Sequence, residues 1–162
     1  MTKTSRVRTT VAVAVAVTLA LLALAWSVTG GSVPRATAVE QALERAPEGA
    51  EFDLGDQTPF AWSHVAIIAP YAPADEVAAL AGAPVPRSVA GLAADTDAHL
   101  VLLFLDGDRT VAHALVDRGR IELLPLADTV LDREDAVVRV VARSAAQEQL
   151  WSDRVLVRAP AT

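Results

Sequence analysis

The longest hydrophobic stretch of the chain lies near its N-terminus. Residues Val11–Val28 form an almost wholly apolar run of 18 residues, and no charged residue lies between Arg8 and Arg35. At about 1.5 Å per helical residue, this run is roughly 27 Å long, close to the thickness of the hydrocarbon core. Its alternating Val and Ala would suit a strand in water, but in lipid only a helix satisfies its own backbone hydrogen bonds. The pattern therefore predicts a transmembrane signal-anchor helix over residues 11–30.

The charges that flank this run predict its orientation. The preceding tail, residues 1–10, contains three basic residues, Lys3, Arg6 and Arg8, whereas acidic residues dominate beyond Arg35. Because basic segments stay inside, we expect a cytoplasmic tail, a single pass through the cell membrane and a domain outside the cytoplasm. The A-x-A sequence at 36–38 offers an alternative, a signal peptide cleaved after Ala38 that releases a secreted protein. The apolar run exceeds the usual h-region of about 7–15 residues, which favours the anchor.

Residues 31–50 are predicted to be a juxtamembrane linker. Val39–Arg45 has apolar residues at helical spacing, and Pro47 and Gly49 end that pattern. We expect this short helix to lie outside the hydrophobic core. Residues 51–162 are long enough to form one extracytoplasmic domain.

The first half of that domain has the pattern of a strand, a turn and a helix. His64–Ile68 is a short apolar run typical of a buried strand. Pro73–Ala81 is predicted to be a helix, with acidic residues in its first turn and Gly82 just beyond its end. Ala83–Arg87 contains two prolines and is predicted to be a loop.

The second half has the pattern of antiparallel strands. Asp106-Gly107-Asp108-Arg109 is predicted to be the tight turn of a hairpin, because its Asp-Gly pair suits the positive φ of a primed turn. The strands expected from the pattern are Leu100–Leu105, Thr110–Val116, Ile121–Leu124, Ala136–Arg143 and Arg154–Arg158. The first three would form a meander, and the acidic residues from Asp128 to Asp135 a connection. The predicted fold is an α+β domain with a mainly antiparallel sheet and one or two helices.

Composition excludes several classes of function. Residues 39–162 carry 20 Asp and Glu against ten Arg and no Lys, a formal net charge of −10. Nucleic acid binding needs a basic surface and is therefore not expected. The chain has no Cys, so neither a disulfide nor a thiolate metal site supports the fold.

Neither a metal, nor a cofactor, nor catalysis is expected. With a two-residue hairpin turn, His113 would pair with Leu102 and point away from His99, so the histidines would not converge on a metal; a three-residue loop would reverse this. The short acidic pairs lack the further ligands of a calcium loop. Ser63 and His64 are adjacent in a predicted strand and would face opposite sides, which argues against a hydrolase.

One segment resembles a known group of proteins. The segment contains Phe52-Asp53-Leu54, Phe60-Ala61-Trp62 and Val65-Ala66-Ile67-Ile68-Ala69-Pro70-Tyr71-Ala72-Pro73, followed by a short acidic helix and a Leu-rich strand that ends in Asp-Gly. Over about residues 52–110 the chain resembles small membrane-anchored exported bacterial proteins of uncharacterised function. The resemblance implies a small α+β domain behind an N-terminal anchor, and it implies no catalytic residues.

The aromatic residues Phe60, Trp62 and Tyr71 lie close together in the sequence. They are expected either to plug one end of the core or to line a groove for a peptide or glycan. The sequence thus predicts a membrane-anchored extracytoplasmic binding or envelope-associated module whose partner is an envelope protein, a peptide or a glycan. A secreted factor and, less favoured, an envelope enzyme are the alternatives.

Overall fold

The computed structural model describes residues 32–144, 150 and 152–159, and a compact unit begins at Val33. The helices are α1 (Thr37–Arg45), α2 (Ala74–Ala81) and α3 (Arg87–Ala94), and the strands are β1 (Glu51–Asp53), β2 (His64–Ile68), β3 (His99–Asp106), β4 (Arg109–Asp117), β5 (Thr129–Asp132), β6 (Val137–Ala142) and β7 (Arg154–Arg158). Two 3-10 helices are Leu124–Leu126 and Arg133–Asp135. The described residues thus confirm a small α+β domain.

The strands form two antiparallel sheets where the sequence pattern predicted one. The larger sheet has the order β4-β3-β2-β5, and the smaller has the order β1-β6-β7. Within the described part of the chain, no helix is long and apolar enough to span a membrane. The predicted tail at 1–10 lies outside the described residues, as does the predicted membrane segment at 11–30.

The larger sheet is buried on both faces. All six residues Leu100–Leu105 of β3 are buried, and they alternate between two hydrophobic clusters. The even-numbered ones pack towards α1 and the smaller sheet, whereas the odd-numbered ones pack against α2 and α3. This explains why β3 is a continuous apolar run rather than an alternating one. The described residues contain three α-helices where one or two were predicted, because α3 was not predicted; it begins at Arg87, the last residue of the loop predicted at Ala83–Arg87.

Helix α1 belongs to the core. Val39 and Leu43 are fully buried, and they pack with residues of both sheets. The expectation that this helix lies outside the core is therefore wrong. Its nine residues carry a narrow apolar face, which a short sequence pattern does not distinguish from a surface helix.

The chain just before α1 covers the outer edge of β4. His113 N–H donates to the Pro34 carbonyl at 3.0 Å, and Ala36 N–H donates to the His113 carbonyl at 2.7 Å. Farther along the edge, Leu115 N–H donates to the Glu40 carboxylate at 2.7 Å, and Arg35 pairs with the same carboxylate at 2.8 Å. Segment 33–36 therefore acts as a short extra strand, and Glu40 satisfies the edge donor beyond it.

The β3–β4 hairpin is confirmed, but its register is not the expected one. Gly107 has a φ of +60°, and Asp106 pairs with Arg109 across a two-residue turn. A bulge opposite Leu105 adds one residue to β4, so that His113 pairs with Leu103 instead of Leu102. His113 and His99 therefore lie on the same face of the sheet, contrary to the prediction.

The predicted meander ends after two strands. Residues 121–123 make only an isolated bridge to β7 through Glu122, and Leu124 begins a 3-10 helix. The acidic stretch expected to be a connection contains β5 instead, which pairs with β2. β6 and β7 confirm the last two predicted strands, but they pair within the smaller sheet.

Glu40 supplies our first prediction. Glu40→Ala removes the acceptor of a partly buried backbone N–H, that of Leu115, and the partner of Arg35, so we expect it to lower the free energy of unfolding by about 1–3 kcal/mol, measured by urea denaturation. Glu44→Ala is the matched control. Its longer 3.6 Å contact with the exposed Arg120 predicts a loss of under about 1 kcal/mol. Equal losses would contradict the assigned role of Glu40.

The surroundings of His113 predict that the stability of the domain depends on pH. Burial lowers the pKa of this imidazole, and the positive charge of Arg35 lowers it further, although Glu40 and a hydrogen bond that the imidazole donates to the Val33 backbone act in the opposite direction. Above the unfolded pKa of about 6.5, the histidine is neutral in both states and its environment costs nothing. Below it, the unfolded chain takes up the proton more readily than the native chain.

We therefore expect the free energy of unfolding to fall as the pH is lowered from about 7 through the unfolded pKa of about 6.5. His113→Gln should make this part of the pH profile flatter, because Gln does not titrate. Urea denaturation at a series of pH values measures the effect. An unchanged slope in His113→Gln would show that another group causes it.

Candidate functional site

A large cavity among the described residues lies at one end of the larger sheet. It is open to solvent, has a volume of about 550 Å³, and is lined by Asp53, Gly55, Asp56, Trp62, Ser63, Asp132, Arg133 and Glu134. These residues come from the loop after β1, the chain entering β2, and the chain leaving β5. The antiparallel pairing of β2 with β5 brings the last two together, since His64 pairs with Asp132. We call this the acidic cavity.

Trp62 forms the apolar wall of the acidic cavity. Only 4% of the residue is exposed, and its ring packs edge to face on Phe104 with centroids 5.2 Å apart. Its indole N–H donates to the Thr58 hydroxyl at 2.6 Å. Phe60 also packs edge to face on Phe104, with ring centroids 5.4 Å apart. Trp62 is thus part of the core and also reaches the cavity, whereas Phe60 is partly buried and packs against the core.

Arg133 crosses the face of Trp62. Its guanidinium carbon lies 4.9 Å from the centre of the ring, a cation–π contact. It donates to the Gly55 carbonyl at 3.0 Å and to the Thr58 hydroxyl at 3.5 Å. The Thr58 hydroxyl in turn donates to Gly55 at 3.0 Å. A carbonyl, a hydroxyl and a ring therefore hold this cation, and the described residues give it no ion pair with a carboxylate.

The acidic cavity carries an excess of negative charge. Four carboxylates line it, from Asp53, Asp56, Asp132 and Glu134, against the single guanidinium. Among the described residues, no group of three or more His, Cys, Asp or Glu is placed to hold a metal ion. Carboxylates beside an aromatic side chain are groups that can bind an organic cation, such as an ammonium or guanidinium group.

Ser63 and His64 are closer than the sequence predicted. Ser63 lies just before β2, and its hydroxyl oxygen is 3.0 Å from His64 Nδ1, so the expectation that the two side chains face opposite sides is wrong. The same hydroxyl lies 3.1 Å from the Leu105 carbonyl, to which it donates, and accepts a bond from Gly107 N–H at 3.1 Å. These bonds tie β2 to the β3–β4 turn.

The three aromatic residues predicted to form one region are not brought together. Tyr71 follows the opposite end of β2 from Trp62, and five strand residues span about 17 Å. Its side chain is 61% exposed, and its backbone N–H donates to Ala93 in α3 at 2.6 Å. Sequence proximity concealed the length of the strand that separates the aromatic residues.

The charged residues of the acidic cavity were not predicted as a site. Asp132 and Glu134 were noted only as part of an acidic connection, and Asp53 and Asp56 lie about 80 residues earlier in the sequence. The one available signal was the acidic run from Asp128 to Asp135, which surrounds the apolar residues Val130 and Leu131. Comparisons of the chain with protein-family models, curated proteins and solved structures gave no match.

Trp62 and Tyr71 provide a matched pair of substitutions. Trp62→Ala should lower the free energy of unfolding by about 3–5 kcal/mol, because it removes a buried aromatic ring. Tyr71→Ala should change it by no more than about 0.5 kcal/mol, because that ring is exposed. Urea denaturation of the two variants measures the difference. A Trp62→Ala chain as stable as the parent would contradict the placement of Trp62 in the core.

Proposed function

We propose that the chain is a membrane-anchored binding protein. Residues 11–30 would cross the cell membrane once, with residues 1–10 in the cytoplasm and the α+β domain outside it. The length of the apolar run and the basic residues before it support this topology. The partner of the domain would be an envelope protein, a peptide or a glycan.

The main observation in favour of an uncleaved, anchored chain is that residues 33–38 are part of the domain. Cleavage after Ala38 would remove Pro34 and Ala36, which bond to the edge of β4, together with the first residues of α1. A product that begins at Val39 would expose that edge and leave Glu40 without Arg35. An uncleaved chain keeps these contacts, and this favours the anchor over the secreted alternative.

The acidic cavity supports binding rather than catalysis as the role of the domain. It offers an aromatic wall and several charged groups in fixed positions, which are the usual means of recognition. The hydroxyl nearest to a histidine is engaged by the Leu105 carbonyl and by Gly107 N–H. A binding role uses the groups that line the cavity without requiring an activated nucleophile.

The topology can be tested with a reporter enzyme that is active only outside the cytoplasm, fused after Thr162. We expect activity, retention of the full-length chain in membranes after carbonate extraction, and no product that begins at Val39. The matched variant Lys3→Glu, Arg6→Glu, Arg8→Glu should lower the reporter activity, because it removes the positive charges that retain the tail. A soluble product starting at Val39 would contradict the anchor and establish the secreted form.

A further inference from the structure

The two edges of the larger sheet differ. Segment 33–36 and the Glu40 carboxylate cover the outer edge of β4, whereas no described residue pairs with the outer edge of β5. Arg133 N–H donates to the Ser63 carbonyl at 2.8 Å, so these two residues form a hydrogen-bonded pair at the end of the antiparallel β2–β5 ladder. Along β5, every second residue from Arg133 therefore bonds to β2, and the residues between them face the other way. Thr129 and Leu131 direct their backbone groups to β2. The N–H and C=O of Val130 and the N–H of Asp132 therefore point outwards, whereas the Asp132 carbonyl accepts the first bond of the 3-10 helix Arg133–Asp135.

The free edge of β5 also presents an apolar side chain. Val130 is 41% exposed, one of two large hydrophobic side chains found exposed in the described residues. It pairs with Ala66, whose side chain belongs to the cluster under α2 and α3, so Val130 lies on that face. An added strand would bury it against a cross-strand neighbour.

Cavities adjoin both ends of this edge. At the start of β5, a pocket of about 170 Å³ lies beside α2 and is lined by Ile68, Ala72, Glu76, Val77, Leu80 and Asp128. At the other end, Asp132 leads into the acidic cavity. The four residues of β5 span about 13 Å, so an extended segment of similar length reaches from the first pocket to the second.

The charges around the edge of β5 indicate which kind of partner can bind there. Asp128, Asp132, Glu134 and Glu76 all lie at the two cavities, and Arg133 is the one basic residue among the residues that line them. A second copy of the chain paired through β5 would bring like charges together, which is unfavourable. A segment with Lys or Arg would instead meet opposite charges.

We propose that the edge of β5 binds an extended basic peptide segment as an additional antiparallel or parallel strand. The backbone N–H and C=O of Val130 and the N–H of Asp132 supply the hydrogen bonds, and alternate side chains of the peptide reach the pocket beside α2 and the acidic cavity. The short length and the negative charge of β5 protect the edge from self-association while leaving it open to a partner of opposite charge. This inference rests on the binding role proposed above but not on the membrane anchor.

The test uses the full chain in neutral detergent micelles and fluorescence anisotropy of labelled octapeptides. A peptide of alternating Lys and Val should bind, and its affinity should fall as salt is added. A peptide of alternating Glu and Val should not bind. The Lys-Val peptide with N-methyl groups along its centre keeps its charge but loses its backbone donors, and it should bind at least about tenfold more weakly.

Variants of the chain locate the site. Val130→Pro removes a backbone N–H that points away from the sheet. An edge strand tolerates proline at such a position, and the variant should bind the Lys-Val peptide about tenfold more weakly. Val130→Thr keeps that N–H and should bind within about twofold of the parent chain. Asp132→Asn should weaken binding and reduce its salt dependence, whereas Glu48→Gln, in the exposed turn after α1, should do neither.

Four results would overturn the proposal. The first is equal binding of the N-methylated and unmodified Lys-Val peptides. This comparison uses the parent chain, so it does not depend on the folding of a variant. The second is equal loss in Asp132→Asn and Glu48→Gln, which would indicate general attraction to an acidic protein. The third is a dimer that Val130→Pro dissociates, which would make a second copy the occupant. The fourth is absence of peptide binding by a chain with the proposed topology, which would refute this inference alone.

Discussion

The burial of β3 on both faces is the constraint on which the rest of the domain depends. Six successive apolar residues, Leu100–Leu105, leave the strand no face that tolerates water. α2 and α3 cover one side of the larger sheet, and α1 and the smaller sheet cover the other. A strand of this composition requires such a layered arrangement, because a single helix over one face would leave Leu100, Leu102 and Phe104 exposed.

Because both faces of the larger sheet are covered, the sheet can differ from one side to the other only at its two edge strands, β4 and β5. The edge of β4 acquires its hydrogen-bond partners from residues 33–36 and Glu40, so the chain entering the domain is part of the sheet. The edge of β5 acquires none from the described residues. Because backbone donors and acceptors are strong and obligatory, an unpaired edge either stays in water or pairs with another chain.

The sequence predicts those elements whose signal is local. The apolar runs of β2 and β3 and the Asp-Gly turn were correctly identified because strand burial and a positive φ impose residue types directly. The bulge opposite Leu105 was missed because the turn alone does not set the register beyond it. β5 was missed because acidic residues flank its apolar residues, and its pairing with β2 spans more than 60 residues.

The acidic cavity was harder to predict than the fold for the same reason. Trp62 was singled out as aromatic, yet its neighbours in space are Thr58, Phe104 and Arg133, of which two are distant in sequence. Tyr71 was grouped with it because a count of nine residues hides a strand of about 17 Å. Contacts that depend on strand pairing follow from the sequence only after the pairing is known.

The distribution of arginines explains why the negative charge is concentrated beside β5. The domain has few cations, and ion pairs engage several of them away from that strand: Arg35 with Glu40, Arg118 with Glu122, Arg139 with Glu51, Arg143 with Asp153 and Arg158 with Asp135. The pair of Arg118 and Glu122 is almost fully buried, so its charges contribute little to the field outside. Arg133, the cation nearest to β5, is held by a carbonyl, a hydroxyl and the Trp62 ring. Its charge offsets only one of the four carboxylates of the acidic cavity, and the potential that remains at the free edge attracts cations.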